Sequence, residues 1–192
     1  MVSKILTTHV GSLPRSKELS DLLFSKDRGE EVSKDEFQRV LSSNVNQIVE
    51  RQLDVGIDSI SDGEMSKISY ATYIKDRIHG FSGESERRAP ADLDDFPEYK
   101  DKIANSGGTP TYSRPCCTEE LKIKDEKALL NDISNFKKVL KQFNHTNAFM
   151  NSASPGVINV FMPNKFYKND EEYLNKLSGI MAKEYEQITN AN

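Results

Sequence analysis

The stretch TTHVGSLPR, Thr7–Arg15, decides how the start of the chain folds. A short apolar lead, Val2–Leu6, runs into it, so we expect an extended segment over Lys4–Ser12. The segment ends in a histidine, a Gly-Ser pair and a proline, which are residue types that form turns rather than continue a sheet. We therefore expect a first strand whose tip, beginning at His9, is suited to holding a ligand.

The strongest helix signal lies further along the chain and begins at Ser33. Glu36 follows three residues later, at the spacing of a capping box. Apolar residues then recur at helical spacing, and Gly56 stands where a C-terminal glycine cap belongs. These apolar residues are Phe37, Val40, Leu41, Val45, Ile48, Val49 and Leu53.

Extended segments followed by helical patterns recur along the whole chain. The four extended segments are Lys4–Ser12, Gly56–Glu64, a weaker one at Cys116–Ile123, and Asn147–Gly156. Such alternation predicts an α/β fold with a parallel sheet and helical crossovers. The polar stretch Ser82–Arg114 separates the second and third units, and it is either a lid over a site or a solvated insertion.

The composition of the chain argues against nucleic-acid binding and membrane association. The chain has 192 residues and a net charge of -4 without a basic stripe, which argues against nucleic acid as a partner. It has neither a run of ~18 apolar residues nor a secretory leader, so we expect no membrane association. The only cysteines are the adjacent pair Cys116 and Cys117, which favours a reducing, cytoplasmic location and suits zinc poorly.

Suggestive residues stand at the ends of three of these segments. In parallel α/β folds, the carboxyl ends of the strands meet at the edge where ligands bind. A Gly-Ser corner such as Gly11-Ser12 suits a carboxylate, and a carboxylate such as Glu64 suits an ammonium. Together they would hold the zwitterionic end of an amino acid. The three segment ends are His9–Ser12, Asp62–Glu64 and Ser154–Gly156.

Plainer interpretations of the same residues stay open. Both DGE and GSLP are common turn sequences. Asp62 is also placed to cap the following helix, and His9 is equally suited to be a hydrogen-bonded core histidine. The residues alone therefore lead no further than a small-molecule site on an α/β fold.

Three stretches of the chain resemble, in order, the cobalamin-independent methionine synthase family, and more closely its short single-barrel relatives. They are TTHVGSLPRS, QLDVGIDSISDGEMSKISYATYIKDRIHGFSG and ASPGVINVFMPNKFY. The likeness runs over the whole chain and is weakest across residues 84–115. It implies a (β/α)8 TIM barrel and a zinc-dependent transfer of a methyl group from methyltetrahydrofolate to the thiol of homocysteine.

The resemblance also implies roles for individual residues. The corner of the first strand would bind the carboxylate of homocysteine, and Glu64 would hold its amino group. Phe161 matches a folate-contacting position where the relatives often have Trp. The corner residues are Val10, Gly11 and Ser12, and further candidates for substrate binding are His9, Arg15, Asp62, Ser154 and Phe161.

One departure from the family is large. Its zinc ligands come from the second half of the barrel, whereas this chain has 192 residues against the ~250 of a complete barrel. We therefore expect residues 1–192 to form the N-terminal half of a TIM barrel, with four βα units, ending before the fifth strand and lacking metal ligands. Such a chain would be inactive alone, and its exposed strand edges would favour homo-oligomers.

Two rival functions stay open. The same type of zinc barrel transfers alkyl groups to other thiols such as coenzyme M, whose sulfonate would require Arg or Lys as its anchor. Glu64 favours homocysteine over that thiol. The other rival is a non-catalytic remnant or binding module.

Overall fold

The computed structural model describes residues 4–85, 91–105 and 112–191. Within these ranges it has seven α-helices and four short strands. In chain order they are α1 (Lys17–Asp27), α2 (Lys34–Asp54), β1 (Ile60–Ser61), α3 (Ile74–Arg77), β2 (Ile78–Ser82), α4 (Pro97–Asn105), β3 (Cys116–Ile123), α5 (Lys127–Gln142), β4 (Ala148–Phe149), α6 (Pro155–Phe161) and α7 (Asp170–Thr189). No helix in the described part of the chain is both long enough and apolar enough to cross a membrane.

The helix predicted after Ser33 is confirmed as α2. The Ser33 hydroxyl accepts a hydrogen bond from the backbone N–H of Glu36 at 3.4 Å, which caps the first turn. The chain leaves the helix at Gly56, whose φ of 78° lies in the left-handed region that glycine adopts readily. The predicted apolar stripe of α2 packs into the core.

Three of the four predicted extended segments lie side by side in parallel. Thr8 of the first segment pairs with Ser59, and in β1 Ile60 lies opposite Ala148 of β4. The order across this small sheet is therefore first segment, β1, β4. All three segments run the same way, so their carboxyl ends meet at one edge.

Asp58 ties the starts of these three segments together. Its carboxylate accepts hydrogen bonds from the N–H and the hydroxyl of Thr7, both at 2.9 Å, and it pairs with Lys4. Lys4 and then Thr7 lower the pKa of Asp58 to about 2. The carbonyl of Asp58 also accepts a hydrogen bond from Asn147 at 2.8 Å, next to β4.

The prediction that Cys116–Ile123 joins the parallel sheet is wrong. This segment, β3, pairs antiparallel with β2, with Ile78 opposite Ile123. Leu121 of β3 is buried between the exposed Glu120 and Lys122, as expected where an antiparallel strand has one face in water. The described residues thus form three parallel segments and an antiparallel hairpin rather than four βα units.

The strand β2 was not predicted from the sequence, and a glycine within it determines how closely it pairs with β3. Gly80 has a φ of 104° at an irregularity between His79 and Phe81. A Cβ atom there would lie 2.9 Å from the carbonyl oxygen of Glu119 on β3. The close approach of the two strands therefore depends on the missing side chain.

The polar stretch Ser82–Arg114 connects the two strands of this hairpin. Its described part contains a 3-10 turn at Ala91–Leu93 and the helix α4. Residues 86–90 and 106–111 lie outside the described residues. The choice between a lid and a solvated insertion stays open.

Two hydrophobic cores lie on either side of a buried ionic cluster. The first core is formed by α1, α2, β1 and α5, and the second by α3, the hairpin, α6 and α7. Arg77, at the end of α3, donates to Asp132 of α5 at 2.6 Å and to Glu184 of α7 at 2.9 Å. These three side chains, which we call the ionic cluster, connect the helices of both cores.

All three members of the ionic cluster are buried, so their charges depend on one another. Burial opposes ionisation of Glu184, but Arg77 and the hydrogen bonds from Tyr73 and Ser152 outweigh it and lower the pKa of Glu184. Burial raises the pKa of Asp132, against the opposing charge of Arg77. Removal of the cation would leave two carboxylates without their partner.

We expect Arg77→Met to lower the free energy of unfolding by about 3–5 kcal/mol, because it leaves buried carboxylates uncompensated. Urea unfolding followed by circular dichroism measures the change. Lys17→Met is the matched control, since its pair with Asp21 is exposed and should contribute about 0.5 kcal/mol or less. Similar small losses for both variants would contradict a structural role for the ionic cluster.

Candidate functional site

The carboxyl edge of the three parallel segments opens into a cleft of about 370 Å³. The first segment, the turn after β1 and the segment after β4 all contribute to it. Five of the predicted site residues line this cleft, and they come from three parts of the chain that lie far apart in the sequence. They are Val10, Gly11, Ser12, Glu64 and Ser154.

Glu64 connects the walls of the cleft. One oxygen of its carboxylate accepts a hydrogen bond from the hydroxyl of Ser12 at 2.6 Å, and the other accepts one from the amide of Asn151 at 3.0 Å. The residue is only 3% exposed. Each carboxylate oxygen can accept further hydrogen bonds, so the group can still receive a cationic donor from the cleft.

The backbone of the turn after β1 is unusual. Gly63 has a φ of 65° and Glu64 a φ of 56°, so two successive residues lie in the left-handed region. This conformation is uncommon for a residue with a side chain and is concentrated at functional sites. The N–H of Leu13 donates to the carbonyl of Gly63 at 3.0 Å, which attaches the turn to the first segment.

Two predicted candidates support this turn from behind. Arg15 donates to the carbonyls of Glu64 and Lys67 at 2.8 and 2.7 Å, and it does not line the cleft. Burial lowers the pKa of Arg15 and raises the pKa of Asp62. The Asp62 carboxylate accepts a hydrogen bond from the N–H of Glu64 at 3.0 Å. Both side chains therefore contact the backbone that presents Glu64.

Two further predicted candidates, His9 and Ser154, differ in their relation to the cleft. His9 is exposed and lies outside the residues that line it. Ser154 lines the cleft and also caps α6, where its hydroxyl accepts from the N–H of Val157 at 3.2 Å.

Phe161, at the end of α6, belongs to an aromatic wall beside the cleft. Its ring meets the ring of Tyr70 edge to face, with centroids 5.2 Å apart. The guanidinium of Arg114 lies 5.0 Å from the Phe161 centroid. Tyr70 also lines the cleft, so this wall is continuous with it.

Sequence reasoning missed several residues of the cleft, chiefly Lys67, Tyr70, Asn151 and Ser152. Asn151 and Ser152 come directly after β4, so the rule that ligands bind at the carboxyl ends of strands was a usable signal for them. Lys67 and Tyr70 follow Glu64 closely along the chain, but no spacing rule distinguishes them from surface residues.

Lys67 links the cleft to the interior. Its ammonium donates to the carbonyl of Asn151 and lies 4.6 Å from the centroid of the Tyr73 ring. The Tyr73 hydroxyl donates to Glu184 at 2.6 Å, and Ser152 donates to the same carboxylate oxygen at 2.7 Å. The side of the cleft formed by Lys67 and Ser152 is therefore attached to the ionic cluster.

The described residues do not fit a zinc site. No group of three or more His, Cys, Asp or Glu side chains within residues 4–85, 91–105 and 112–191 could hold a metal ion. Cys116 and Cys117 are buried in the hairpin, and their sulfurs lie 3.8 and 3.5 Å from backbone carbonyls. Burial raises the pKa of Cys117 to about 11, so its thiol is neutral and packs as an apolar group.

We expect Gly63→Ala to destabilise the protein more than Gly29→Ala, its matched control. Both glycines have a positive φ, but a Cβ at Gly63 would lie 2.9 Å from Met65 and 3.0 Å from Leu13, whereas Gly29 has open space. The added steric cost at Gly63 is about 1–3 kcal/mol. Thermal unfolding of both variants measures it, and equal shifts in Tm would contradict the tight packing of this turn.

Comparison with known proteins confirms the predicted resemblance. Residues 5–89 match the sequence profile of a family described as "Cobalamin-independent synthase, Catalytic domain". The 5-methyltetrahydropteroyltriglutamate–homocysteine methyltransferases of Thermotoga maritima and of Thermotoga sp. strain RQ2 are each 26% identical to this chain over 76 residues. The aligned stretch is 40% of this chain and 10% of each of those proteins.

Solved structures show the same fold over nearly the whole chain. A B12-independent methionine synthase from Shewanella sp. W3-18-1 matches with a TM-score of 0.70 at 17% identity, over 97% of this chain and 48% of that one. A chain from Listeria monocytogenes matches with a TM-score of 0.63 at 18% identity, over 98% of this chain and 51% of that one. The fold is thus α/β and similar to a methionine synthase domain, and this chain spans about half the length of those two chains.

Proposed function

We propose that this chain, which is similar over residues 5–89 to the catalytic domain of cobalamin-independent methionine synthases, binds homocysteine for methylation to methionine. The observation that carries the proposal is the buried Glu64 carboxylate, which Ser12 and Asn151 hold in a shared cleft. A carboxylate fixed in this way is suited to receive the ammonium of an amino acid.

The corner of the first segment provides for the other end of the amino acid. Gly11 has a φ of 95° and carries no side chain, so a ligand carboxylate can approach the backbone of Gly11 and Ser12. With its amino-acid end held at Glu64 and this corner, homocysteine presents a thiol on a flexible two-methylene arm. The contribution of the described residues is to fix one end of that arm and so orient the thiol.

We propose methyltetrahydrofolate as the methyl donor. The aromatic wall of Tyr70 and Phe161, with Arg114 against the latter, supports this assignment. Flat rings packed edge to face beside a guanidinium suit a flat, polar heterocycle such as the pterin of a folate. The resemblance implies a Trp at this position in many relatives, and Phe161 offers a smaller ring face.

The described residues bind and orient the substrates in this function, and none of them is assigned as a general acid. The described ranges contain no set of side chains that could bind the zinc that the resemblance implies. No catalytic step is therefore attributed to zinc. We propose residues 1–192 as a part of a (β/α)8 barrel domain that includes the three parallel segments among its strands. Self-association through strand edges and a cytoplasmic location stay predictions.

The rival acceptor, coenzyme M, has one observation in its favour. Lys67 lines the cleft and would suit a sulfonate. Coenzyme M has no ammonium, however, and would leave the buried Glu64 carboxylate without a cationic partner. Homocysteine has both an ammonium for Glu64 and a carboxylate for a cationic group, so its charges match the cleft better than those of coenzyme M. Tighter binding of coenzyme M than of homocysteine in direct competition would favour the rival.

We expect Glu64→Gln to weaken homocysteine binding about tenfold or more, because the amide keeps the shape of the carboxylate but loses the charge that holds the ammonium. Binding of methyltetrahydrofolate should change little. Isothermal titration calorimetry with each ligand measures both effects on the purified protein.

Glu171→Gln is the control for this experiment, since it makes the same substitution at an exposed position in the first turn of α7. It should leave both affinities unchanged. Equal loss of both ligands in Glu64→Gln would remove Glu64 from the amino-group role, and undiminished homocysteine binding would contradict the proposed site.

A further inference from the structure

Lys67 is a buried cation that lines the cleft. The residue is only 3% exposed. Lysine is rarely buried to this extent unless an acidic group pairs with it. None of the ion pairs formed by the described residues includes Lys67. Lys67 therefore has no direct anionic partner among the described residues.

The contacts of Lys67 hold its ammonium in place but do not neutralise its charge. The carbonyl of Asn151 accepts one hydrogen bond, and the ring of Tyr73 lies 4.6 Å away. Neither group carries a full negative charge. An ammonium has three donors, so Lys67 keeps capacity for a ligand that enters the cleft.

Acidic side chains near Lys67 already have partners of their own. Asp62 accepts a hydrogen bond from the backbone of Glu64, and both Asp132 and Glu184 pair with Arg77. All three are close enough to interact electrostatically with Lys67, and none pairs with it directly. They favour a cation at this position, and Lys67 is one of the residues that line the cleft.

Asn151 places the two charged groups of the cleft next to each other. Its side-chain amide donates to Glu64 at 3.0 Å, and its carbonyl accepts from Lys67. An acidic and a basic group thus lie on either side of one residue. An α-amino acid carries its ammonium and its carboxylate on one carbon, so it can present one charge to each of these two groups.

We infer that Lys67 binds the carboxylate of the ligand and thereby makes the cleft specific for an α-amino acid over a simple amine. Glu64 takes the ammonium, and Lys67 adds the positive charge that the backbone corner at Gly11 and Ser12 lacks. This inference rests on the proposed function and adds to it a residue that selects the ligand.

The test compares two ligands on the purified protein by isothermal titration calorimetry. One is homocysteine, and the other is 3-aminopropane-1-thiol, which is homocysteine with its carboxylate replaced by hydrogen. The variants are Lys67→Met, which keeps most of the length of the side chain without its charge, and Lys67→Arg, which keeps the charge.

We expect the wild type to bind homocysteine at least about tenfold more tightly than the aminothiol, because only homocysteine can pair with Lys67. Lys67→Met should lose that preference by weakening homocysteine binding alone. Its unchanged affinity for the aminothiol then shows that the cleft is still folded. Lys67→Arg should retain most of the preference.

Three results would overturn the inference while leaving the proposed function in place. They are equal affinities of the wild type for the two ligands, equal loss of both ligands in a Lys67→Met protein that circular dichroism shows to be folded, and an undiminished preference for homocysteine in that variant. The comparison of the two ligands on the wild type needs no variant, so it tests the inference even if Lys67→Met fails to fold. A wild type that binds neither ligand would instead overturn the proposed function and this inference together.

Discussion

The pairing of Arg77 with Asp132 and Glu184 is the interaction on which the arrangement of the two cores depends. It joins α3, α5 and α7 at a point where each helix contributes one charged side chain away from water. Apolar packing alone allows neighbouring cores to slide, because dispersion and burial have little directional preference. Hydrogen-bonded charges require definite distances, so the cluster specifies how the two cores meet.

The same cluster reaches the cleft. Glu184 accepts hydrogen bonds from Tyr73 and Ser152, and the Tyr73 ring supports the ammonium of Lys67. On the opposite side, Glu64 is held by a turn that is attached to the first segment. Buried contacts therefore fix the side chains of the cleft before a ligand binds. This lowers the entropy cost of ordering those side chains on binding.

Local sequence signals were sufficient for much of this architecture. Ser33 and Gly56 define the ends of α2 because caps act within a few residues of their own position. The α/β class and the convergence of Ser12 with Glu64 followed from the rule that parallel strands present their carboxyl ends at one edge. The resemblance to a known family then supplied a substrate for residues that spacing alone could only group together.

What the sequence determined by itself is a set of helices, a first extended segment ending in a Gly-Ser corner, and an acidic turn after the second extended segment. The tertiary structure decided the antiparallel pairing of β3 with β2, the use of Arg15 and Asp62 beneath the turn, and the place of Lys67 in the cleft. Each of these depends on partners distant in the chain or on a left-handed backbone at a residue other than glycine. Caps and periodicity act over only a few residues, so no local pattern specifies which side chains a folded chain brings together.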